Sequence, residues 1–392
     1  MNPVSFIRLQ CLVLLVFMLS FGSIAHAEPT ITIGFNLSLS GPRKVAGEDT
    51  RKGAEMVRKQ INKAGGLKIG DKSYIVKYVY ADNESSPQKA VSTTLRLITK
   101  ENVLAIVGLI DSSRAIPAGN ICQSFQTPMI SPLSTNPKTT LNRPFVFRAC
   151  FLDPFQGEVM ADFAIKDLKA KKAAVLYDIA DAYPRGLAEF FKNAFEAQKG
   201  PGSVVAYENF LSSEKDLSVQ IDKIIASGAD VLFVPQYDDQ VPDIVKQARA
   251  RGWTKDIMGG DAWDTSALME NCGDACKGLY FSSHFAAIGA KGKTKVFVEK
   301  YKAEVKSLPS ANGALGYDSA LLMLTAIGSM DSLSSNLLEA RTAIKDKLAA
   351  IKGFEGVSGV LSMNVDGNPS KSAVVIQINK KGEFELFKTV NP

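Results

Sequence analysis

The 392-residue chain is 46% hydrophobic and 22% charged, with 46 basic and 40 acidic residues for a formal net charge of +6. That length exceeds what one core usually supports, so two domains are expected. Charges of both signs are interspersed, without a basic patch interleaved with aromatics and without zinc-finger spacing, which argues against a nucleic-acid partner.

The first 27 residues read as a secretory signal peptide. Arg8 supplies the positive start, residues 11–21 are apolar but too short for a membrane span, and Ala25-His26-Ala27 has the small-x-small cleavage pattern. The expected mature chain begins at Glu28 and is an exported, periplasmic protein. Residues 30–37 then alternate like a strand. A helix over 47–64 carries Ala54, Val57, Ile61 and Ala64 on one face and stops at Gly65-Gly66. A strand at 74–80 and a helix at 87–99, opened by Pro87, follow.

Two short apolar runs, 103–108 and 128–130, each break into a hydroxyl-rich loop: Leu109-Ile110-Asp111-Ser112-Ser113-Arg114, then Ser131-Pro132-Leu133-Ser134-Thr135. The helix-length segment 115–125 between them makes a parallel βαβ crossover. Both loops therefore lie at the carboxyl ends of neighbouring strands, the edge where open α/β sheets bind ligands. Ser112, Ser113, Ser134 and Thr135 offer donors for a small anion such as a carboxylate. The same serines serve equally well as helix caps.

After a strand at 145–148 the alternation restarts: helix 154–168, strand 173–177, helix 183–198, strand 204–207, helix 216–227, strand 231–234 and helix 241–251. Two such runs predict an α/β protein of two doubly wound lobes. Helices over 294–306, 313–330 and 337–351 cover an existing lobe, because too few strands remain for a third sheet. The tail alternates as strands at 359–363, 373–379 and 383–388. A chain running lobe, lobe and back crosses several times, which makes a hinge suited to closure around a ligand.

The leader aside, the chain has one histidine, His284, outside any HExxH or GxSxG context. A structural role for it, and a binding protein in place of an enzyme, are the expectations; no metal or cofactor is implied. Cys272 and Cys276 share a Gly- and Asp-containing loop and are expected to form a disulfide. Cys122 and Cys150 either pair or remain as buried thiols.

The chain beyond the leader resembles, end to end, the type I periplasmic binding proteins of the branched-chain amino acid ABC transporter class. The resemblance is carried by Ser40-Gly41-Pro42, Asn62-Lys63-Ala64-Gly65-Gly66-Leu67, and Asp82-Asn83-Glu84-Ser85-Ser86-Pro87-Gln88-Lys89-Ala90. The two hydroxyl loops belong to it, as do Phe147-Arg148 with Asp153 and Gln156-Gly157. Tyr183-Pro184-Arg185-Gly186 and Gly316-Tyr317-Asp318-Ser319 complete it. It implies three crossovers near Ala149, Tyr280 and Val357, giving lobe 1 as 28–149 and 281–356 and lobe 2 as 150–280 and 357–392. It also implies an amino-acid clamp. Ser112 and Thr135 fall on the family's carboxylate-binding positions, with Leu133 and Ser134 offering backbone groups. Tyr183 and Tyr237 fall on the cleft tyrosines, and Asp261 on the acid that binds the ammonium group.

The expected function is a monomeric solute-binding protein that presents an amino acid to an inner-membrane ABC permease. An amide, urea or aromatic-carboxylate binder, or the ligand-sensing subunit of a receptor, is the alternative. Ala46 stands where branched-chain binders often carry an aromatic ring, so the sequence leaves the side-chain preference open. Trp263 and Phe285 are wall or core residues in this reading.

Overall fold

The computed structural model describes residues 29–392, so the expected leader at 1–27 lies outside the described residues. No helix among the described residues is long and apolar enough to cross a membrane.

The first lobe is built on β1 (Thr30–Leu37), β2 (Leu67–Ile69), β3 (Lys72–Asp82), β4 (Ala105–Gly108), β5 (Met129–Ser131) and β6 (Val146–Arg148), in the order β2-β3-β1-β4-β5-β6. All neighbours from β3 to β6 are parallel; β2 is an antiparallel edge on β3. Three helices link these strands: α1 (Lys44–Lys63), α2 (Pro87–Thr99) and α3 (Ser112–Ser124). Strand β4 is buried along its whole length, as a central parallel strand covered on both faces must be. Chain order reverses between β1 and β4, and this switch point opens the crevice at their carboxyl ends.

The second lobe repeats the scheme. Its strands are β7 (Ala173–Asp178), β8 (Val204–Phe210), β9 (Val231–Val234), β10 (Asp256–Gly259) and β11 (Tyr280–Ser283), with the late strands introduced below. Its helices are α4 (Asp153–Lys166), α5 (Ala182–Lys199), α6 (Ser218–Ala226), α7 (Val241–Ala250) and the short α8 (Ser266–Cys272). The chain then returns to the first lobe as α9 (Gly292–Val305), α10 (Ala311–Gly328) and α11 (Leu337–Ala349). Leu322, Met323 and Ile327 of α10 pack into one core with Phe35, Val107 and Ile130, so these helices do cover an existing sheet. Burying each such side chain is worth about 1.5–3 kcal/mol.

A small antiparallel set follows, β12 (Phe354–Gly356), β13 (Gly359–Met363) and β14 (Pro369–Ser370). The chain finally re-enters the second sheet as β15 (Ala373–Ile378) and β16 (Phe384–Val390), in the order β16-β15-β11-β10-β9-β7-β8. The lobes are thus joined by three passages, at 149–152, 284–291 and 371–372.

Two of these lie later than the sequence reading placed them. Residues 281–283, assigned there to lobe 1, are hydrogen-bonded to β15 inside the second sheet. Residues 357–370, assigned to lobe 2, stay with the first: Met363 joins the Phe35 core, and Asn368 accepts from Thr140 at 2.8 Å. The tail's alternation marked strands correctly but carried no mark of which sheet each would join.

The third passage is tied down by a buried charge. Lys371 Nζ donates to the carbonyl and hydroxyl oxygens of Ser358 at 2.5 and 2.6 Å, and that hydroxyl donates to Asp318 on α10. Burial lowers the Lys371 pKa to about 8, against the carboxylate of Asp318. Lys371→Met removes the only cation facing that buried acid among these groups. The lysine reaches that acid only through Ser358, so the change leaves two buried oxygens without their donor; an unsatisfied buried group costs about 1–3 kcal/mol, and urea unfolding should show a loss of that size. An unchanged midpoint would remove Lys371 from the hinge's support.

Candidate functional site

Each sheet contributes its carboxyl edge to one interlobe cleft. Arg43 follows β1, Asp111 and Ser112 follow β4, and Leu133 follows β5. Facing them, Tyr183 opens α5 after β7, Tyr237 follows β9, and Asp261 begins a short 3-10 turn after β10. Together with Ala262 and Asn312 these residues line one cavity.

The hydroxyl loops are rigidly held. Ser131 Oγ donates to the Leu109 carbonyl at 2.6 Å, tying one loop to the other. The fully buried Arg148 donates to the carbonyls of Ser134 at 2.7 Å and Asn136 at 3.0 Å, so its guanidinium clamps the second loop from below. Ser112 Oγ accepts from Ser134 Oγ at 3.0 Å and from the Asn136 N–H at 3.4 Å, leaving its own proton free to donate. Ser134 is consumed in a chain with Ser112 and Thr139. The buried Thr135 hydroxyl lies against the Asp153 carboxyl, and neither Thr135 nor Ser134 is among the residues lining the cavity. Ser113 differs from the expectation. Its hydroxyl donates at 2.9 Å to Asp181 of the other lobe, so it bridges the lobes and is not among the residues lining the cavity.

Across the cleft, the carboxylate of Asp261 is buried and accepts from Gln156 Nε2 at 2.8 Å and Tyr183 Oη at 2.8 Å. His284 Nε2 lies 3.0 Å from its other oxygen. Burial lowers the His284 pKa, so the ring is neutral and donates through Nε2; its face stacks on Phe151 with centroids 3.7 Å apart. Burial also raises the Tyr183 pKa well above ordinary, with Asp261 adding to it, which keeps the phenol a donor. Tyr183 and Tyr237 stack with centroids 5.2 Å apart.

The sequence places the charges of Arg43, Lys44 and Asp111 near the hydroxyl loops but gives Arg43 no partner; it lies over the Tyr237 ring at 4.4 Å and donates to Asp111 at 3.1 Å. Sequence reasoning treated His284 as structural without placing it against Asp261. Gln156 was noticed only as part of a motif. Asn312 donates to the Asp264 carbonyl at 3.0 Å from the first lobe to the second. None of these has a spacing signal, since each meets the site only through tertiary packing. Trp263 and Phe285 line no part of this cavity: Trp263 is core, donating to the Val234 carbonyl at 3.2 Å, and Phe285 packs on Phe297. Cys272 and Cys276 are joined by a disulfide, and Cys122 and Cys150 are buried free thiols. Among the described residues no group of acids, histidines and cysteines has the arrangement of a metal site.

Two ligand-facing lobes, each doubly wound and linked by three passages, define a cleft-type solute-binding protein. The chain belongs to the periplasmic binding protein family, whose sequence profile matches residues 30–383. It is 32% identical over 377 residues to Leu/Ile/Val-binding protein homolog 3 of Brucella melitensis, covering 94% of both chains. The leucine-binding protein of Thermotoga maritima superposes with a TM-score of 0.84 at 31% identity, over 93% of this chain and 99% of that one. A Streptococcus pneumoniae branched-chain amino acid transporter substrate-binding protein, solved with isoleucine, gives a TM-score of 0.84 at 32% identity over 93% and 100% of the chains. All three are binding proteins, not enzymes, and the Streptococcus pneumoniae protein is the substrate-binding part of a transporter.

The cleft also carries a testable pH signature. Burial pushes the Asp153 pKa up to about 8, against the Thr135 hydroxyl beside it, with Asp261 adding to the rise and Arg148 opposing it. An unfolded aspartate releases its proton near pH ~3.9. The folded chain therefore holds a proton that the unfolded chain lacks between these values. Its contribution to stability is full below about pH 4 and is lost as pH rises to about 8. Asp264, pushed up to about 7 by burial, acts with the same sign. Asp153→Asn should flatten the fall in Tm between pH 5 and 8 while leaving the Asp264 portion; identical slopes would place the proton elsewhere.

Proposed function

We propose that the cleft binds a free amino acid and delivers it, in the closed form, to an inner-membrane ABC permease. The observation that carries this reading is the lopsided charge of the two walls. Asp261 is buried and held by three neutral donors, and among the described residues no lysine or arginine pairs with it. A ligand ammonium group supplies the missing charge. The Ser112 hydroxyl on the opposite lobe supplies a donor for a carboxylate, and the Thr135 hydroxyl supplies a second once it turns from Asp153. Charge-assisted hydrogen bonds at both poles favour a zwitterion over a ligand with one charge.

In this reading Leu133 and Ser134 shape the carboxylate pole, Tyr183 positions Asp261, and Tyr237 forms the wall beside it. Ser113 acts only after closure, through Asp181. Ligand contacts to both lobes shift the population toward the closed form. The protein acts as a periplasmic monomer after loss of its leader; the transport systems of its relatives support the permease as partner. The mature boundary at Glu28 is part of the same proposal.

The decisive variant is Asp261→Asn, which keeps the shape and two of the acceptor positions but removes the charge. Removing one partner of a buried, hydrogen-bonded charge pair costs about 2–5 kcal/mol of binding. Amino acids that raise the wild-type Tm should give the variant almost no shift, since stabilisation follows ligand affinity by mass action. An undiminished shift would take Asp261 out of the clamp.

A further inference from the structure

The residue that fills the far wall of the cleft is Arg43, and nothing in the amino-acid clamp accounts for it. Its side chain is 4% exposed. Its Nε donates to Asp111 in its own lobe at 3.1 Å, its Nη1 forms an ion pair with Asp238 of the other lobe, and its guanidinium lies 4.4 Å from the Tyr237 ring centroid. Both carboxylates have further anchors. Asp111 accepts from Arg114 at 2.8 Å, and Asp238 accepts from Thr265 at 2.6 Å. Asp111 thereby sits between two guanidinium groups, and Asp238 meets Arg43 across the lobe boundary. Burial works against the charge on Arg43, yet its pKa is raised, with Asp111 the largest favourable influence.

The position flagged in the sequence, Ala46, does not open the cleft. It is packed in the first-lobe core and lines no part of the cavity. With Arg43 in place the closed cavity encloses about 10 Å³, on the order of one water.

We infer that Arg43 sets side-chain specificity, capping the cleft so that it takes amino acids with small side chains (glycine, alanine, serine) in preference to leucine, isoleucine or valine. The inference rests on the cleft being an amino-acid site. A leucine side chain has to displace the guanidinium. That displacement strands Asp238, 3% exposed, with only the Thr265 hydroxyl for company. A buried carboxylate deprived of its cation is strongly disfavoured. A methyl or hydroxymethyl group needs only a small movement of Arg43 and leaves both ion pairs in place. Acidic side chains are excluded by charge, since a third carboxylate would face two guanidinium groups already paired.

Calorimetric titration of the leaderless protein with glycine, alanine, serine, valine, leucine and isoleucine tests this directly. The small ligands should bind at least tenfold more tightly than leucine. In the double variant Arg43→Ala, Asp238→Ala, which removes cation and stranded acid together, that preference should invert by at least tenfold. Wild-type protein that binds leucine as tightly as alanine overturns the inference, as does a folded double variant whose preference is unchanged. If the double variant does not fold, the wild-type series alone decides. Failure of every amino acid to bind wild type and variant alike would overturn the amino-acid reading itself, a different result from binding with the wrong preference.

Discussion

A carboxylate at 3% exposure has lost most of its hydration, and Asp261 recovers it from three sides: the amide of Gln156, the phenol of Tyr183 and the imidazole of His284. Those donors come from α4, α5 and the second passage between the lobes, so one side chain draws three separate stretches of chain to a point. Neutral donors orient the charge without cancelling it, and an uncancelled buried charge is costly until a cation arrives. His284 matters here for being neutral. Its burial keeps it from becoming the counter-ion that the site would otherwise have supplied for itself.

The rest of the architecture separates two kinds of cohesion. Within each lobe the sheets and helices are joined by apolar cores, one around Phe35 and Val107, the others around Leu232 and Phe233. Between the lobes the contacts at the cleft are polar: Arg43 with Asp238, Ser113 with Asp181, and Asn312 with the Asp264 carbonyl. Polar contacts exchange readily for water, whereas apolar cores do not. Lobes that are firm inside and wet at their seam move as bodies about the three passages.

The βαβ units were legible because buried parallel strands are short apolar runs and their helices keep a 3.6-residue period. The placement of both hydroxyl loops at strand ends follows from that alone, and β4 and β5 are indeed parallel neighbours. Asp261, Tyr183 and Tyr237 were reachable through family resemblance, not through spacing. Strands β2, β10 and β11 went unread because they lack the unbroken apolar run that marked β4 and β9 at the same length. The interlobe boundaries were misplaced for a related reason: a strand's composition states that it is buried but not in which sheet. Arg43 was legible as a charge near the loops, but its partners were not. Read locally it is a surface cation in a turn, and only the opposite lobe gives it Asp238 and the face of Tyr237.

Ser113 with Asp181, and Asn136 with the Ala182 carbonyl at 2.9 Å, form a seam of cross-lobe hydrogen bonds where α3 meets α5. These bonds touch nothing in the cavity, yet they hold while the cleft is shut. The time a solute stays bound is then set in part by how often this seam parts, and only in part by how well the solute is held. Solutes of different fit would share that common term in their departure rates. A transport partner that grips the lobes near α3 and α5 could hasten unloading by working on the seam alone, without ever reaching the solute.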